Sequence, residues 1–255
     1  MIAGNKYLTA IDDDTVIWRY LSFASFCSIL KTNTLFFRRL DRYPDQLEAV
    51  LYQSTVNMYQ EHRSKLPGGT RKESKRWASR IATDYKIAAR YILSNSWTIS
   101  NHEDYALWRV YLDGCKEGVA IRSTGGKLKE SLNGNNYKIS LGKVDYDEPK
   151  GNWKDMNIYR VATSKKRPYS YENEYRALIF GQHQYNTNDG TRPKPKFSIG
   201  VEVPVDLKVL VHQIYVSPFA GKWFFKIVKA MVFEYLDRFE GRDILHSTIK
   251  EKRND

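Results

Sequence analysis

The sequence predicts a single mixed α/β domain with a mixed, largely antiparallel sheet, and three observations support this class. The 255 residues are 42% hydrophobic and 14% aromatic, which is enough to bury a core and too much for a disordered chain. Short runs rich in aromatic and β-branched residues alternate with stretches of helical period. No internal repeat or low-complexity linker interrupts residues 1–255, so one domain is expected.

The predicted elements follow the chain in short steps. Up to residue 93 they are a strand at 16–21, a helix at 23–31 capped by Ser22, a strand at 34–37, and helices at 46–63 and 77–93. The last two form a helical insertion over about 46–93. Beyond it the predicted strands are 96–100, 118–123, 138–146, 171–180, 197–203 and 209–216, and the helices are 103–111, 127–131, 153–163 and 219–239. The final helix is long, amphipathic and rich in aromatic residues, so we expect it to pack over the sheet.

The stretch 171–180, Tyr-Glu-Asn-Glu-Tyr-Arg-Ala-Leu-Ile-Phe, carries the clearest chemical pattern. In a strand, alternate side chains share a face, so Glu172, Glu174 and Arg176 are expected on one side. Two carboxylates at that spacing, beside an arginine, suit the stabilisation of a sugar cation next to a nucleophile. The alternative is an ordinary solvated strand face with opposite charges side by side.

The charge balance points to a polyanionic partner. Forty-one Lys and Arg residues against 29 Asp and Glu give a net charge of +12. Nucleic acid is the first candidate for such a surplus, although many basic proteins do not bind it. The surplus is concentrated at 63–80, 165–167, 192–196 and 222–229.

Several classes of protein are excluded by what the sequence lacks. No apolar run is long enough for a membrane span, and the N-terminus does not resemble a signal peptide, so a cytoplasmic protein is expected. Cys27 and Cys115 make neither a disulfide framework nor a metal site, and no metal is expected. There is no Gly-x-Gly-x-x-Gly or Walker motif for binding phosphates.

Several short motifs follow one another in a specific order. They are Trp18-Arg-Tyr-Leu-Ser, Thr34-Leu-Phe-Phe, Ser96-Trp-Thr, Gly118-Val-Ala-Ile-Arg-Ser, Tyr171-Glu-Asn-Glu-Tyr-Arg and Ile214-Tyr-Val-Ser-Pro. Together they resemble the DUF2971 family of bacterial proteins over most of residues 16–235. Because that family is named for lacking a described function, the resemblance implies no chemistry.

A second resemblance concerns mechanism. A strand bearing an arginine, then a helix, then a short Leu-Phe-Phe strand is similar to the opening of ADP-ribosyltransferase domains. Those of the Arg–Ser–Glu type carry an arginine, a Ser-Thr-Ser motif and a Glu-x-Glu motif in this order, and the chain offers Arg19, Ser123-Thr124-Gly125 and Glu172-Asn-Glu174. The third position of the serine motif is a glycine here.

The resemblance implies an ADP-ribosyltransferase-like fold that uses NAD as a substrate, in a toxin or phage-defence role. Glu174 would stabilise the ribose cation, and Glu172 would orient or deprotonate the acceptor. Arg19 would bind the pyrophosphate, which suits a planar guanidinium. The cofactor-binding residues that it implies are Arg19, Tyr20, Trp97, Ser123 and Thr124.

Two alternatives remain open at the level of sequence. A carboxylate cluster of Asp45, Glu48, Glu103 and Glu174 would bind a divalent metal for phosphodiester cleavage, which makes a metal-dependent nuclease. Otherwise, basic and aromatic residues at 71–90 and 222–229 would make a non-catalytic nucleic-acid-binding component of a defence complex.

Overall fold

The computed structural model describes residues 2–43, 48, 50–147, 156–181, 194–236 and 244–249. Strands β1 to β9 are Val16–Ser22, Thr34–Arg39, Ile92–Ile99, Gly118–Thr124, Ile139–Lys143, Glu174–Phe180, Gly200–Pro204, Gln213–Val216 and Ile244–His246. Helices α1 to α8 are Phe23–Thr32, Gln53–Ser64, Arg71–Ala88, Tyr105–Leu112, Gly125–Ser131, Ile158–Ala162, Leu207–Leu210 and Lys222–Tyr235. The predicted mixed α/β class is confirmed.

The described strands form one sheet. Its order is β5-β6-β3-β1-β4-β8-β9, and β2 pairs with both β3 and β7. Every pair of named strands is antiparallel except β8 with β9, which confirms the largely antiparallel sheet.

The strand register sorts side chains onto two faces. On β1, Ile17 lies opposite Ser123 of β4, and on β3, Trp97 lies opposite Tyr175 of β6. These four residues are all buried, and the odd-numbered positions of β1, β3 and β6 supply much of the main hydrophobic core. Helix α8 covers this core with Phe224, Val228 and Val232, as its amphipathic pattern predicts. The even-numbered positions of the same strands face the other way.

The predicted helical insertion contains two helices, whose ends differ from the prediction. Helix α2 begins at Gln53, and residues 44–47 and 49, which the prediction included, lie outside the described residues. Helix α3 begins earlier than predicted, at Arg71, because Thr70 and Glu73 form a capping box. It ends at Ala88 because the next residues turn into β3, so the predicted continuation to residue 93 is wrong.

The predicted strand at 171–180 is wrong over its first three residues. Residues 167–172 form a 3₁₀ turn, with Pro168 near its start, and Asn173 ends it in the left-handed conformation with φ of 39°. The strand therefore begins at Glu174, and Glu172 lies on the preceding turn.

Other boundaries shift by a few residues. The predicted strand at 209–216 splits into α7, which Asp206 caps, and β8. The predicted helix at 153–163 appears as α6 after the cap Asn157, while positions 153–155 and 237–239 lie outside the described residues. No helix in the described part of the chain is both long and apolar enough to cross a membrane.

Candidate active site

The sheet opens a fork between β1 and β3. These strands pair only at Ile17 with Ile99 and at Trp18 with Thr98, and then they diverge. Arg19 fills the gap: its Nη1 atom donates to the Ser96 carbonyl oxygen at 2.5 Å. An arginine on the core face of β1 thus reaches across the fork to β3.

A cleft of about 720 Å³ opens at this fork. Its size falls within the usual range for small-molecule sites. The even-numbered face of the sheet forms its floor, and α4 and the turn at 167–172 contribute to its walls. The lining includes Trp18, Arg19, Tyr20, Phe36, Arg38, Tyr43, Ser94, Ser96, Thr98, Val110, Tyr111, Lys165, Tyr169, Tyr171, Glu172 and Glu174. Four predicted site residues, Arg19, Tyr20, Glu172 and Glu174, therefore meet in one place.

Behind the cleft lies a buried network of three carboxylates and two cations. Lys165 Nζ is 2.6 Å from Glu172 Oε2, 2.9 Å from Glu174 Oε1 and 3.7 Å from Glu48 Oε2. The Arg176 guanidinium binds Glu174 with two nitrogens, at 2.8 and 3.0 Å. Arg176 Nη1 also lies 2.5 Å from Glu48 Oε1. With every group ionised the network carries one excess negative charge.

Of the two cleft carboxylates, Glu172 is the one whose ionised form is less favourable. Burial raises the pKa of Glu172 to about 7, with a further increase from Glu174 and opposition from Lys165. Burial would also raise the pKa of Glu174, but the charges of Arg176 and Lys165 outweigh it and hold this pKa well below its usual range. Burial would lower the pKa of Lys165, but the three surrounding carboxylates raise it well above its usual range. Glu172 is therefore the carboxyl group of this network whose pKa is suited to proton transfer near neutral pH.

Tyr111 lies close enough to the charged groups of the cleft for their charges to shift the pKa of its hydroxyl. Burial raises the pKa of its hydroxyl, and the charges of Glu174 and Glu172 raise it further, while Arg19 and Lys165 lower it. All four charged groups therefore act on the same hydroxyl. The Tyr111 ring stacks on Tyr20, with centroids 6.2 Å apart and planes 12° apart.

Three polar atoms at the fork lack a hydrogen-bond partner among the described residues. They are Arg19 Nε, Ser94 Oγ and Ser96 Oγ, and all three are shielded from solvent. Leaving such groups unsatisfied is costly, and at functional sites a ligand often supplies the partner. Burial lowers the pKa of Arg19. An anion bound beside it would restore the favourable charge environment that burial removes.

Comparison with known proteins does not assign the chain to a family. No family model and no curated protein sequence matches the chain, so the DUF2971 resemblance stays a prediction. Among solved structures, the chain is similar to Thermus sp. 2.9 DarT in complex with carba-NAD+, at 9% identity and a TM-score of 0.40, covering 93% of this chain and 97% of that one. It is also similar to Thermus sp. 2.9 DarT in complex with ADP-ribosylated ssDNA, at 8% identity and a TM-score of 0.39, covering 94% and 97%. Likeness at this level supports no conclusion about function.

The other three predicted cofactor-binding residues do not line the cleft, although the Arg19 guanidinium lies 5.9 Å from the centroid of the Trp97 ring. Ser123 lies on the core face, fully buried, and its hydroxyl donates to the Leu210 carbonyl oxygen. Thr124 caps α5 by accepting from the Lys127 amide. Trp97 is 1% exposed and belongs to the main core, because odd-numbered positions of β3 point there.

The carboxylate cluster proposed for a nuclease does not assemble in the described part of the chain. Glu103 accepts hydrogen bonds from Trp108 and Thr248, away from the cleft. Glu48 and Glu174 are held by Arg176 and Lys165, whereas Asp45 lies outside the described residues. Among the described residues, no three His, Cys, Asp or Glu side chains are grouped to hold a metal ion.

Sequence reasoning missed two sets of site residues. Ser94 and Ser96 line the cleft with Arg19, whereas the predicted Ser123 does not, and their Ser-x-Ser spacing on a strand was a usable signal. Lys165 lies in the basic run at 165–167, and its burial could not be predicted without the fold.

Proposed function

We propose that this chain is an NAD-using, ADP-ribosyltransferase-like enzyme that acts on nucleic acid or on a protein bound to nucleic acid. The observation that carries the proposal is the meeting of Arg19 and Glu172 in one cleft. The first offers an unpartnered donor at the fork, and the second offers a carboxylate with a pKa of about 7. Arg19 would bind an anion there, and the Glu172 carboxylate would stabilise a developing sugar cation.

The position of each group in the cleft determines the part of NAD that it would bind. Arg19, with the hydroxyls of Ser94 and Ser96, would bind the pyrophosphate of NAD. The stacked rings of Tyr20 and Tyr111 would form an aromatic wall for a planar base. The nicotinamide ribose would then lie toward Glu172.

The reaction proposed is displacement at the ribose C1′ carbon. The bond from C1′ to the nicotinamide nitrogen breaks, and its electron pair leaves with nicotinamide and neutralises the pyridinium ring. The acceptor's lone pair forms the new bond to C1′, and the acceptor's proton passes to the Glu172 carboxylate. The same carboxylate stabilises the oxocarbenium-like charge that develops as the first bond breaks.

The geometry favours Glu172 over Glu174 for this role. Both Glu174 oxygens are paired with cations and the residue is 2% exposed, so its charge is already compensated. Glu172 has one oxygen on Lys165 and the higher pKa. Glu174 acts in this proposal as a positioning residue, because it holds Lys165 and through it Glu172.

The acceptor is proposed from charge. The net charge of +12 favours a polyanion or something bound to one. The toxin or phage-defence setting expected from the resemblance stays a prediction.

The test is nicotinamide release and transfer of label from NAD labelled in its adenylate half. Wild type is assayed with and without single-stranded and duplex DNA and RNA, next to Glu172→Gln and a control, Glu130→Gln on the exposed face of α5. The expected result is release by wild type and Glu130→Gln and a rate about 10²–10⁴ lower for Glu172→Gln. No release by wild type with any acceptor overturns the proposal.

A further inference from the structure

Helix α3 carries an unusual charge distribution on its exposed side. Six basic side chains are exposed along it: Arg71, Lys72, Lys75, Arg76, Arg80 and Lys86. At about 100° per residue, all six fall within roughly half of the helix circumference. The opposite side, with Trp77 and Ile81, packs on a buried cluster that includes Tyr59 of α2. We call the six residues the α3 basic face.

Within this half of the helix circumference, none of the described side chains is acidic. The other exposed side chains within it are Ser79 and Thr83, which are small and uncharged. The two carboxylates of the helix, Glu73 and Asp84, lie just beyond one edge of it: Glu73 is engaged in the cap with Thr70, and Asp84 follows Arg80 by four residues. None of the six basic groups has a described carboxylate within the 4 Å of an ion pair.

The arrangement is unfavourable for the helix itself. Lys72, Arg76 and Arg80 are spaced i, i+4 and i+8, so like charges face each other along one row, and Asp84 at its end neighbours Arg80 alone. Arg71 and Lys72 also lie in the first turn, where the helix dipole disfavours cations. An ordinary solvated helix face mixes both signs and avoids this cost, so a bound polyanion is the simplest source of compensation.

We infer that the α3 basic face binds the phosphate backbone of nucleic acid, at a site separate from the cleft. The row from Lys72 to Arg80 covers about 12 Å along the helix, which is long enough to contact several successive phosphates. The inference rests on the proposed function only for the choice of nucleic acid as the polyanion. In that function this face would hold the acceptor while the cleft holds NAD.

The experiment measures binding of the full-length chain, without NAD, to a fluorescently labelled oligonucleotide, as single strand and as duplex, over a range of salt concentrations. The variant is Lys72→Gln with Arg76→Gln and Arg80→Gln. Its matched control is Lys222→Gln with Lys226→Gln and Lys229→Gln on α8, where all three lysines are also exposed on a helix. Each triple variant removes three positive charges from the same net +12, so bulk charge is held equal.

The α3 variant is expected to bind about tenfold or more weakly than wild type. Its plot of log K against log salt should also be less steep, with a slope smaller in magnitude by about two to three, which is near one per lost phosphate contact. The α8 variant should lose much less. Equal losses in both variants, no loss in the α3 variant, or tighter binding of wild type to vesicles containing phosphatidylserine than to the oligonucleotide would each overturn the inference. Circular dichroism checks that the helices persist, and glutamine keeps a good helix propensity.

The outcome is distinguishable from a failure of the proposed function. Nicotinamide release in the absence of nucleic acid should be unchanged in the α3 variant, since none of its residues lines the cleft. If wild type releases no nicotinamide while the α3 variant still loses oligonucleotide binding, the nucleic-acid-binding surface is supported and the enzyme proposal is wrong.

Discussion

Lys165 Nζ lies 2.6 Å from Glu172 Oε2, at the wall of the cleft and with both side chains largely buried. The contact joins the turn at 167–172 to the charged network beneath it, because the same ammonium group also binds Glu174. Glu172 is thereby held in place by a group that it shares with a second carboxylate. Burial, with a further increase from Glu174, keeps Glu172 protonated to a higher pH than an ordinary glutamate although Lys165 opposes this, and it makes Glu172 the titrating member of the pair.

The two glutamates should respond differently to the same substitution. Glu172→Gln keeps a hydrogen-bond acceptor for Lys165 and removes the proton-accepting group, so turnover of NAD should fall by about 10²–10⁴ without loss of folding stability. Glu174→Gln removes the carboxylate that pairs with both Arg176 and Lys165, and breaking a buried ion pair costs about 3–5 kcal/mol. Nicotinamide release and urea unfolding of both variants are the measurements. A Glu172→Gln variant that unfolds as readily as Glu174→Gln would contradict the division of roles.

The buried network should show strong coupling in a double-mutant cycle. Arg176→Gln alone leaves Glu174 and Glu48 short of positive charge, and its cost should resemble that of Glu174→Gln, about 3–5 kcal/mol. The double variant should cost clearly less than the sum, because each change removes the charge that the other would leave unpaired. Additive costs in urea unfolding would mean that the two side chains act independently.

The pKa of Glu172 predicts how activity and stability depend on pH. As a proton acceptor it must be ionised, so turnover should rise with pH through about 7. Folding raises this pKa above its unfolded value, so the folded state binds more protons between about pH 4.5 and 7 and Glu172 makes the protein less stable as pH rises.

Glu172→Gln removes that pH-dependent penalty. Above pH 7 the variant should therefore be more stable than wild type, by on the order of 2 kcal/mol, and the difference should vanish near pH 4.5. Unfolding curves at several pH values supply the check, with Glu130→Gln as the control. A stability difference that is constant with pH would show that Glu172 does not titrate in this range.

Ser94 offers a test of whether the fork is built for a ligand. Its hydroxyl is buried and unpartnered, so Ser94→Ala should stabilise the free protein by about 1 kcal/mol. The same change should weaken NAD binding, because the ligand loses a donor. Ser131→Ala is the matched control, since this buried hydroxyl donates to the Leu128 carbonyl oxygen and its loss should cost about 1 kcal/mol without an effect on NAD. Ser94→Ala with unchanged NAD affinity would remove the hydroxyl from the site.

The sequence predicts the site in part, and the register of the sheet explains the rest. Arg19 was chosen through the resemblance to ADP-ribosyltransferase domains, and the Glu172–Glu174 pair was chosen for its charge spacing, although Glu172 lies on a turn and not on the strand. Ser123 was misassigned because its face depends on the pairing of Ile17 with Ser123, which places it in the core. The fork that admits Arg19 arises from the short pairing of β1 with β3, and no local pattern encodes the length of a pairing.

The predicted ends of helices and strands are right where a local signal sets them and wrong where a neighbouring residue turns the chain. Ser22 caps α1 as predicted, because a serine cap is a local signal. The start of β6 was placed three residues too early, because Tyr171 and Glu172 suit a strand in isolation while Asn173 turns the chain.

Calorimetry shows directly whether the Arg19 cleft is an NAD site. We expect wild type and Glu172→Gln to bind NAD with similar dissociation constants, since Glu172 acts on the reaction. Arg19→Gln should bind at least about tenfold more weakly, as expected for loss of a charge-assisted contact to a phosphate. Arg122→Gln, on the neighbouring strand β4 and bound to Gln213, is the control and should bind as wild type does. No heat of binding with wild type, or equal affinity in wild type and Arg19→Gln, would contradict the account.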